Sequence, residues 1–136
     1  MRFQLRLLVL AALVSSPAAA EDPTRRATRL EPMTIDAADG FSIRSYKAES
    51  GTYYRWRIES DGRDEYKLLA PGLFRESWID QVVIEEREVK PMGLHAIEFD
   101  DAGAIDIYFV PIRPGRYEFF VEGLETQGFR GEFVVE

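Results

Sequence analysis

The stretch that decides the fold reads Pro114-Gly115-Arg116-Tyr117-Glu118-Phe119-Phe120-Val121 and continues, after a short loop, as Gly128-Phe129-Arg130-Gly131-Glu132-Phe133-Val134-Val135. Proline followed by glycine is a turn signal. Beyond this turn, large apolar side chains alternate with polar ones, which is the period of a strand with one buried face. The pattern predicts two strands that form the closing hairpin of a β-structure.

The same alternation recurs upstream. Tyr54, Trp56 and Ile58 face one way. Tyr53, Arg55, Arg57 and Glu59 face the other. Turn signals at Asp61-Gly62 and at Asp100–Gly103 separate neighbouring runs. We expect about eight short strands in an all-β, antiparallel Greek-key β-sandwich.

Two segments depart from this simple pattern. Leu73–Ser77 is expected to form one helical turn after the break at Pro71-Gly72. Trp78–Val89 is ambiguous, because its acid-rich end is compatible with a helix whereas its β-branched residues favour extended structure.

Two stretches together resemble the small bacterial cupredoxins. One is the closing hairpin, and the other is Tyr66-Lys67-Leu68-Leu69-Ala70-Pro71-Gly72-Leu73-Phe74-Arg75. In the plastocyanin-like subgroup that includes the cupredoxin domains of iron-uptake systems, a Pro-Gly-x-Tyr-x-Phe-x-Cys strand enters a ligand loop. A His-x-Phe-x-Ala-Pro segment lies upstream of it. The resemblance covers residues 30–136 in order and implies a cupredoxin-like domain.

The alternative is that these motifs arose independently. Proline and glycine before an alternating strand are common in β-sandwiches. A Gly-x-Tyr pair can also build a tyrosine corner in other Greek-key folds.

The resemblance also implies where copper ligands belong, and this chain lacks them. The family's first His falls on Tyr66, its Cys on Val121, its second His on Leu124 and its axial Met on Phe129. A blue-copper site needs one Cys and two His ligands, and the chain has no Cys and a single His. Burying unpaired polar ligand groups lowers stability, whereas burying Val, Leu and Phe in the same space adds hydrophobic packing. We therefore expect a degenerate copper site and no bound cofactor.

The N-terminus has the three parts of a secretory signal peptide. Arg2 and Arg6 precede the apolar run Leu7–Val14, and Ala18-Ala19-Ala20 supplies the small residues of a cleavage site. The run is too short to cross a bilayer. We expect residues 1–20 to be removed, residues 21–29 to be a flexible lead-in, residues 30–136 to form the domain, and the product to be periplasmic without membrane insertion.

The charge narrows the range of partners. The chain carries 17 Lys and Arg against 24 Asp and Glu, a net charge of −7. Loss of Arg2 and Arg6 with the signal would bring the net charge to −9. An acidic surface disfavours nucleic acid and anionic lipid, and it permits a basic protein partner or cations. Acidity that serves only solubility is the competing interpretation.

The single histidine is the centre of an alternative metal site. His95 follows Met92 by three residues, and thioether and imidazole groups suit Cu(I). Strand alternation would instead place His95 on the face of Ile97 and Phe99, as a partly buried, hydrogen-bonded side chain. Any metal there needs a third ligand, and Met33, near the start of the fold, is one suggestion for it.

Carboxylates are also grouped, without a recognisable calcium-loop spacing. Glu122 and Glu125 fall in the former ligand loop, where Glu65 would join them around a mouth able to attract a hard cation. The sequence shows no catalytic triad order and no phosphate loop. We therefore expect a protein that is not an enzyme.

The sequence favours an exported cupredoxin-like domain that works as a binding or accessory module for an unknown periplasmic protein. Its alternative is a copper or iron carrier that uses non-standard ligands. In cupredoxins the copper end docks partners, which here would be the loop Glu122–Gln127 and the segment Pro71–Phe74. The partner-binding candidates are Leu73, Phe74, Glu122, Leu124 and Glu125.

Overall fold

Two β-sheets enclose one core, so the predicted β-sandwich is confirmed. The computed structural model describes residues 26–136. The predicted signal peptide, residues 1–20, and most of the lead-in lie outside the described residues. The strands are β1 (Thr28–Arg29), β2 (Met33–Asp36), β3 (Gly40–Phe41), β4 (Ser45–Ala48), β5 (Tyr54–Ser60), β6 (Tyr66–Leu69), β7 (Ser77–Ile84), β8 (Arg87–Val89), β9 (Ala96–Phe99), β10 (Gly103–Pro111), β11 (Gly115–Val121) and β12 (Arg130–Val135). The helices are α1 (Pro71–Arg75) and a 3-10 helix (Glu125–Gln127).

Both sheets are mixed, where the sequence predicted antiparallel ones. The larger sheet has the order β3-β2-β5-β10-β7-β8, with β1 also beside β5, and the smaller has the order β4-β12-β11-β6-β9. β1 and β2 run parallel to β5, and β4 runs parallel to β12. Alternation in a sequence reports which face of a strand is buried, and it is the same for either direction of the neighbour. The pairing of β1 also shows that sheet structure begins at Thr28, two residues before the predicted domain boundary.

The inner faces of the two sheets meet in an aromatic core. Tyr54, Trp56 and Ile58 are buried as their alternation predicted. Phe133 on β12 is fully buried and lies against the rings of Tyr46, Trp56, Phe109 and Phe119, with centroid separations of 4.9–5.9 Å. Ring contacts at these distances stabilise a core beyond the apolar area they bury. They fix the closing hairpin of β11 and β12 against the larger sheet.

The turn signals mark crossings between sheets and are not hairpins. β5 belongs to the larger sheet and β6 to the smaller, so the segment through Asp61-Gly62 passes from one to the other. The segment Asp100–Ala102 makes the reverse crossing between β9 and β10. A Cβ at Gly62 would lie 2.3 Å from the backbone nitrogen of Ala102, so the two crossings are packed directly against each other. A local turn signature carries no information on which sheet receives the next strand.

The tyrosine corner considered from the sequence is present. The hydroxyl of Tyr117 donates to the carbonyl of Arg113 at 2.9 Å, and its ring lies over Gly115. This corner closes the crossing from β10 to β11. It occurs inside the sandwich that the resemblance predicted, so the two interpretations of Pro-Gly-x-Tyr are compatible.

The ambiguous stretch Trp78–Val89 forms the hairpin of β7 and β8. Ile84 pairs with Arg87, which leaves Glu85 and Glu86 as a two-residue turn. Both residues have a positive φ, 46° and 66°. Two-residue hairpin turns of this kind favour Asn and Gly, because side chains with a Cβ are strained there.

Replacing Glu86 by glycine should therefore stabilise the protein by about 1 kcal/mol, since glycine relieves left-handed strain. Urea denaturation of both proteins measures the difference. Glu88→Gly is the matched control, because the same exchange inside β8 should lower stability by about 0.5–1 kcal/mol. Equal effects of the two exchanges would contradict the turn geometry.

Candidate functional site

The four positions that the resemblance aligns with copper ligands lie at one end of the smaller sheet. Tyr66 begins β6, Val121 ends β11 and Phe129 immediately precedes β12. The rings of Tyr66 and Phe129 stack with centroids 5.8 Å apart and planes 28° apart. The backbone nitrogen of Val121 donates to the carbonyl of Phe129 at 3.0 Å, and that of Leu124 donates to the carbonyl of Val121 at 3.1 Å. The structure thus brings together segments that are more than 60 residues apart in the chain.

Three of these side chains are inside the protein. The exposed fraction is 0% for Tyr66, 1% for Val121 and 4% for Phe129. Phe41 adds its ring edge-on to Phe129 at 5.8 Å. Leu124 is half-buried and packs against the same core. We call Tyr66, Val121, Leu124 and Phe129 the end cluster.

The hydroxyl of Tyr66 ties the end cluster to the crossing between the sheets. It donates to Oδ1 of Asp61 at 3.0 Å. Asp61 also accepts the backbone N–H groups of Ala37 at 2.9 Å and Arg63 at 3.0 Å. These hydrogen bonds from Ala37 and Arg63 lower the pKa of Asp61, whereas burial raises the pKa of Tyr66 to about 12. The sequence interpretation missed this pair; only the crossing geometry brings Asp61 beside Tyr66.

The end cluster does not fit the copper ion that the family resemblance implies. The side chains of Val121, Leu124 and Phe129 have no donor atom for a metal. The Tyr66 hydroxyl carries its proton up to high pH and directs it to Asp61. The end cluster is therefore a packed, largely apolar group that offers no copper ligand set.

The loops around the end cluster are strongly acidic. Registers between strands place these loops at the same end, since Ile35 pairs with Ser60, Ser60 with Gly103, and Tyr66 with Phe99. The turn between β7 and β8 joins them, as Ile84 pairs with Ile105. The carboxylates of these loops and their strand ends are Asp36, Asp39, Asp61, Asp64, Glu65, Glu85, Glu86, Asp100, Asp101, Glu122 and Glu125. Fewer cations lie at this end: Arg63 is in these loops, and Arg44, Lys67, Arg87 and Arg130 reach it from neighbouring segments or strand ends. We call this surface the acidic end.

Two carboxylates of the former ligand loop are accessible. Glu122 is exposed and pairs with Nζ of Lys67 at 2.9 Å. Glu125 is half-buried at the start of the 3-10 helix. Within residues 26–136, no three His, Cys, Asp or Glu side chains lie close enough together to hold a metal ion, which argues against the hard-cation mouth of Glu65, Glu122 and Glu125.

Leu73 and Phe74 are not part of this surface, so their prediction as partner-binding residues is wrong. Leu73 is 0% and Phe74 is 6% exposed. Because Leu69 pairs with Phe120, the chain after β6 runs back along β11 and brings Gly72 against the ring of Tyr117. α1 therefore lies beside the start of β11, away from the loop that follows Val121. Its apolar side chains point into the core.

His95 is also placed differently from the expectation. It is exposed, whereas alternation predicted a partly buried side chain beside Ile97 and Phe99. The alternation fails because β9 begins at Ala96, and Leu94 in the preceding loop packs against the core instead. Met33, the suggested third ligand, is fully buried.

Met92 and His95 line one cavity of about 480 Å³ together with Trp78 at the start of β7. The sequence interpretation did not bring Trp78 to them. The signal for it was an aromatic residue at an outward position of an alternating strand.

No helix among the described residues is long and apolar enough to cross a membrane. No family model matches the sequence, and no curated protein is similar enough to count as a relative.

Solved structures with a similar backbone include two multicopper oxidases and auracyanin B. A multicopper oxidase from Pseudomonas thermotolerans matches with a TM-score of 0.64 and 15% identity, over 93% of this chain and 33% of that one. A multicopper oxidase from Campylobacter jejuni matches with a TM-score of 0.56 and 11% identity, over 90% of this chain and 32% of that one. Auracyanin B matches with a TM-score of 0.52 and 12% identity, over 81% of this chain and 90% of that one. The chain thus spans about a third of the length of the oxidases, and likeness at these identities shows the fold alone.

Proposed function

We infer that this chain, which has the cupredoxin-like fold predicted from its sequence, serves as an exported, copper-free binding module in the periplasm. The observation that carries the proposal is the end cluster, in which the ligand positions of a cupredoxin are taken by buried, mutually packed side chains. Filling the space with apolar groups removes the cost of burying unpaired ligands and adds core packing. The domain then keeps its shape without a metal.

The surface that remains for recognition is the acidic end. Exposed carboxylates in several loops surround a rigid, packed base, and they favour a partner with a basic patch. Glu122, Glu125 and the half-buried Leu124 combine charge with apolar area, as protein interfaces do. The partner is a periplasmic protein, and the module acts without catalysis.

Capture of partners from a periplasmic extract tests the acidic end. We expect the double variant Glu122→Lys, Glu125→Lys to lose partners that the unmodified protein retains. Glu31→Lys, Glu49→Lys is the matched control, because it changes the net charge equally at exposed positions outside these loops. Capture should also weaken with added salt, since charged surfaces are screened. Identical captured proteins from all three forms would remove the acidic end from consideration.

If the end cluster derives from a copper site, restoring the ligands by mutation should produce intense visible absorption with Cu(II). The chain itself has no Cys, so Cu(II) should produce no intense visible absorption. The quadruple variant Tyr66→His, Val121→Cys, Leu124→His, Phe129→Met should produce it, because it restores the ligand set at the spacing that the resemblance implies. The same variant with Ser at 121 is the control. A folded quadruple variant that stays colourless would refute the assignment of these positions.

Export makes a separate prediction. The protein recovered from the periplasm should begin at Glu21, because Ala18-Ala19-Ala20 supplies the cleavage site. Intact mass spectrometry distinguishes this form from the whole chain. Recovery of a mass that still contains residues 1–20 would overturn the export proposal.

A further inference from the structure

A second candidate site lies away from the end cluster, in the cavity of about 480 Å³ that Met92 and His95 line. Its walls are α1, the start of β7 and the loop between β8 and β9. Phe74 is buried in the wall that α1 forms, and Leu94 anchors the loop by packing against the core. Core packing therefore fixes the walls, and the side chains at the opening are not needed for that packing and can contact a ligand.

Three side chains at this opening, which are Met92, Trp78 and His95, are exposed to solvent. Met92 is fully exposed, and Trp78 is 53% exposed. His95 beside them is exposed as well. Leaving a Trp and a Met in water forgoes the stabilisation that their burial would bring. A thioether, an imidazole and an indole face at one opening share a single chemical property, which is affinity for soft cations.

The residues that line the cavity favour a ligand of low positive charge, because none of them is a carboxylate. No Asp or Glu is among the residues that line it, so a hard divalent ion finds no carboxylate there. Arg75 on the wall is directed to Glu76, with 3.5 Å between Nε and Oε1, and still disfavours high positive charge. A monovalent ion with a preference for sulfur and nitrogen ligands meets the smallest repulsion.

We propose that the Sδ atom of Met92 and the imidazole of His95 bind one soft monovalent cation, Cu(I) or its redox-inert analogue Ag(I), with the indole of Trp78 beside it. Ligands three residues apart in a loop can converge on one ion. A half-exposed indole supplies the third, weaker contact through its π-face. The site is independent of the proposed function, because it uses none of the residues of the end cluster or of the acidic end.

The chain is well suited to a direct test, because His95 is its only histidine and gives one set of imidazole NMR signals. Titration of the purified chain with Ag(I) should shift these signals and saturate at one equivalent. Competition with a chromophoric Cu(I) chelator under anaerobic conditions should give the same stoichiometry. Emission from Trp78 should change in the same titration, whereas Trp56 is fully buried in the core.

Variants separate this site from adventitious binding. Met92→Leu and His95→Gln should each weaken Ag(I) binding at least tenfold, and the double variant should lose the one-equivalent step. Trp78→Phe should abolish the fluorescence change while binding weakens only severalfold. Met33→Leu is the matched control and should bind as the unmodified protein does, because Met33 is buried in the core. One-equivalent binding that survives in the double variant, or binding by the unmodified protein no tighter than by the double variant, would overturn the proposal.

Discussion

Replacing Phe129 by alanine should lower the free energy of unfolding by about 3–5 kcal/mol, the range for truncation of a core Phe. Phe129 is 4% exposed, stacks on Tyr66 and meets Phe41 edge-on. Truncation leaves a cavity lined by these rings. The hydrogen bond from the backbone N–H of Val121 to the carbonyl of Phe129 limits how far the loop can collapse into this cavity. Denaturant unfolding followed by far-ultraviolet circular dichroism measures the loss.

Phe120→Ala is the matched control. Phe120 belongs to the same hairpin but is half-buried on the outer face of β11, so its truncation should cost no more than about 1–2 kcal/mol. Equal losses in the two variants would mean that the end cluster contributes no more than an outward-facing aromatic residue. In that case the ligand positions would not be filled by core packing, and the proposed account of a copper-free module would fail with them.

Replacing Gly40 by alanine should have an effect of comparable size for a different reason. Gly40 has a φ of 77°, which costs a residue with a Cβ about 1–2 kcal/mol. A Cβ there would also lie 2.4 Å from the carbonyl oxygen of Gly128, which is backbone and cannot rotate away. Overpacking typically adds about 1–3 kcal/mol. We expect a total loss of about 2–5 kcal/mol, measured as a lower midpoint of urea unfolding.

Gly51→Ala isolates the backbone part of this effect. Gly51 has a similar φ of 80°, but apart from its two neighbours in the chain no residue has an atom within 4 Å of the position of its Cβ. It should therefore lose only the conformational share, about 1–2 kcal/mol. The difference between the two variants measures how tightly β3 is held against the loop before β12, where Phe41 also donates its backbone N–H to Gly128 at 3.1 Å. Equal losses would show that this contact yields without cost.

Which faces of the strands are buried follows from the order of the residues alone. Tyr54, Trp56 and Ile58 alternate in the sequence and are buried in the structure, because a strand turns successive side chains to opposite faces. It also determined that a blue-copper site is chemically impossible, since a chain without Cys has no thiolate to offer. Both conclusions follow from residue identity and local period alone.

How segments far apart in the chain pair and pack depends on long-range contacts that no local pattern encodes. The alternation of β1, β2 and β4 does not encode the direction of their neighbours, and all three have a parallel partner. Leu73 and Phe74 were assigned to the surface near Glu122, but the register of β6 against β11 carries α1 the other way and buries them. His95 does not share the buried face of Ile97, because it lies in the loop and β9 begins one residue later, at Ala96.

The two candidate sites show the same division. The end cluster was predictable because a family pattern aligned Tyr66, Val121, Leu124 and Phe129, although their contacts depend on the sandwich being formed. The cavity of Met92 and His95 was half predictable, from the spacing of these two residues. Trp78 joins them because α1, β7 and the loop before β9 meet in space. Periodicity is a local property of a chain, whereas such a meeting depends on strand order and register, which long-range packing decides.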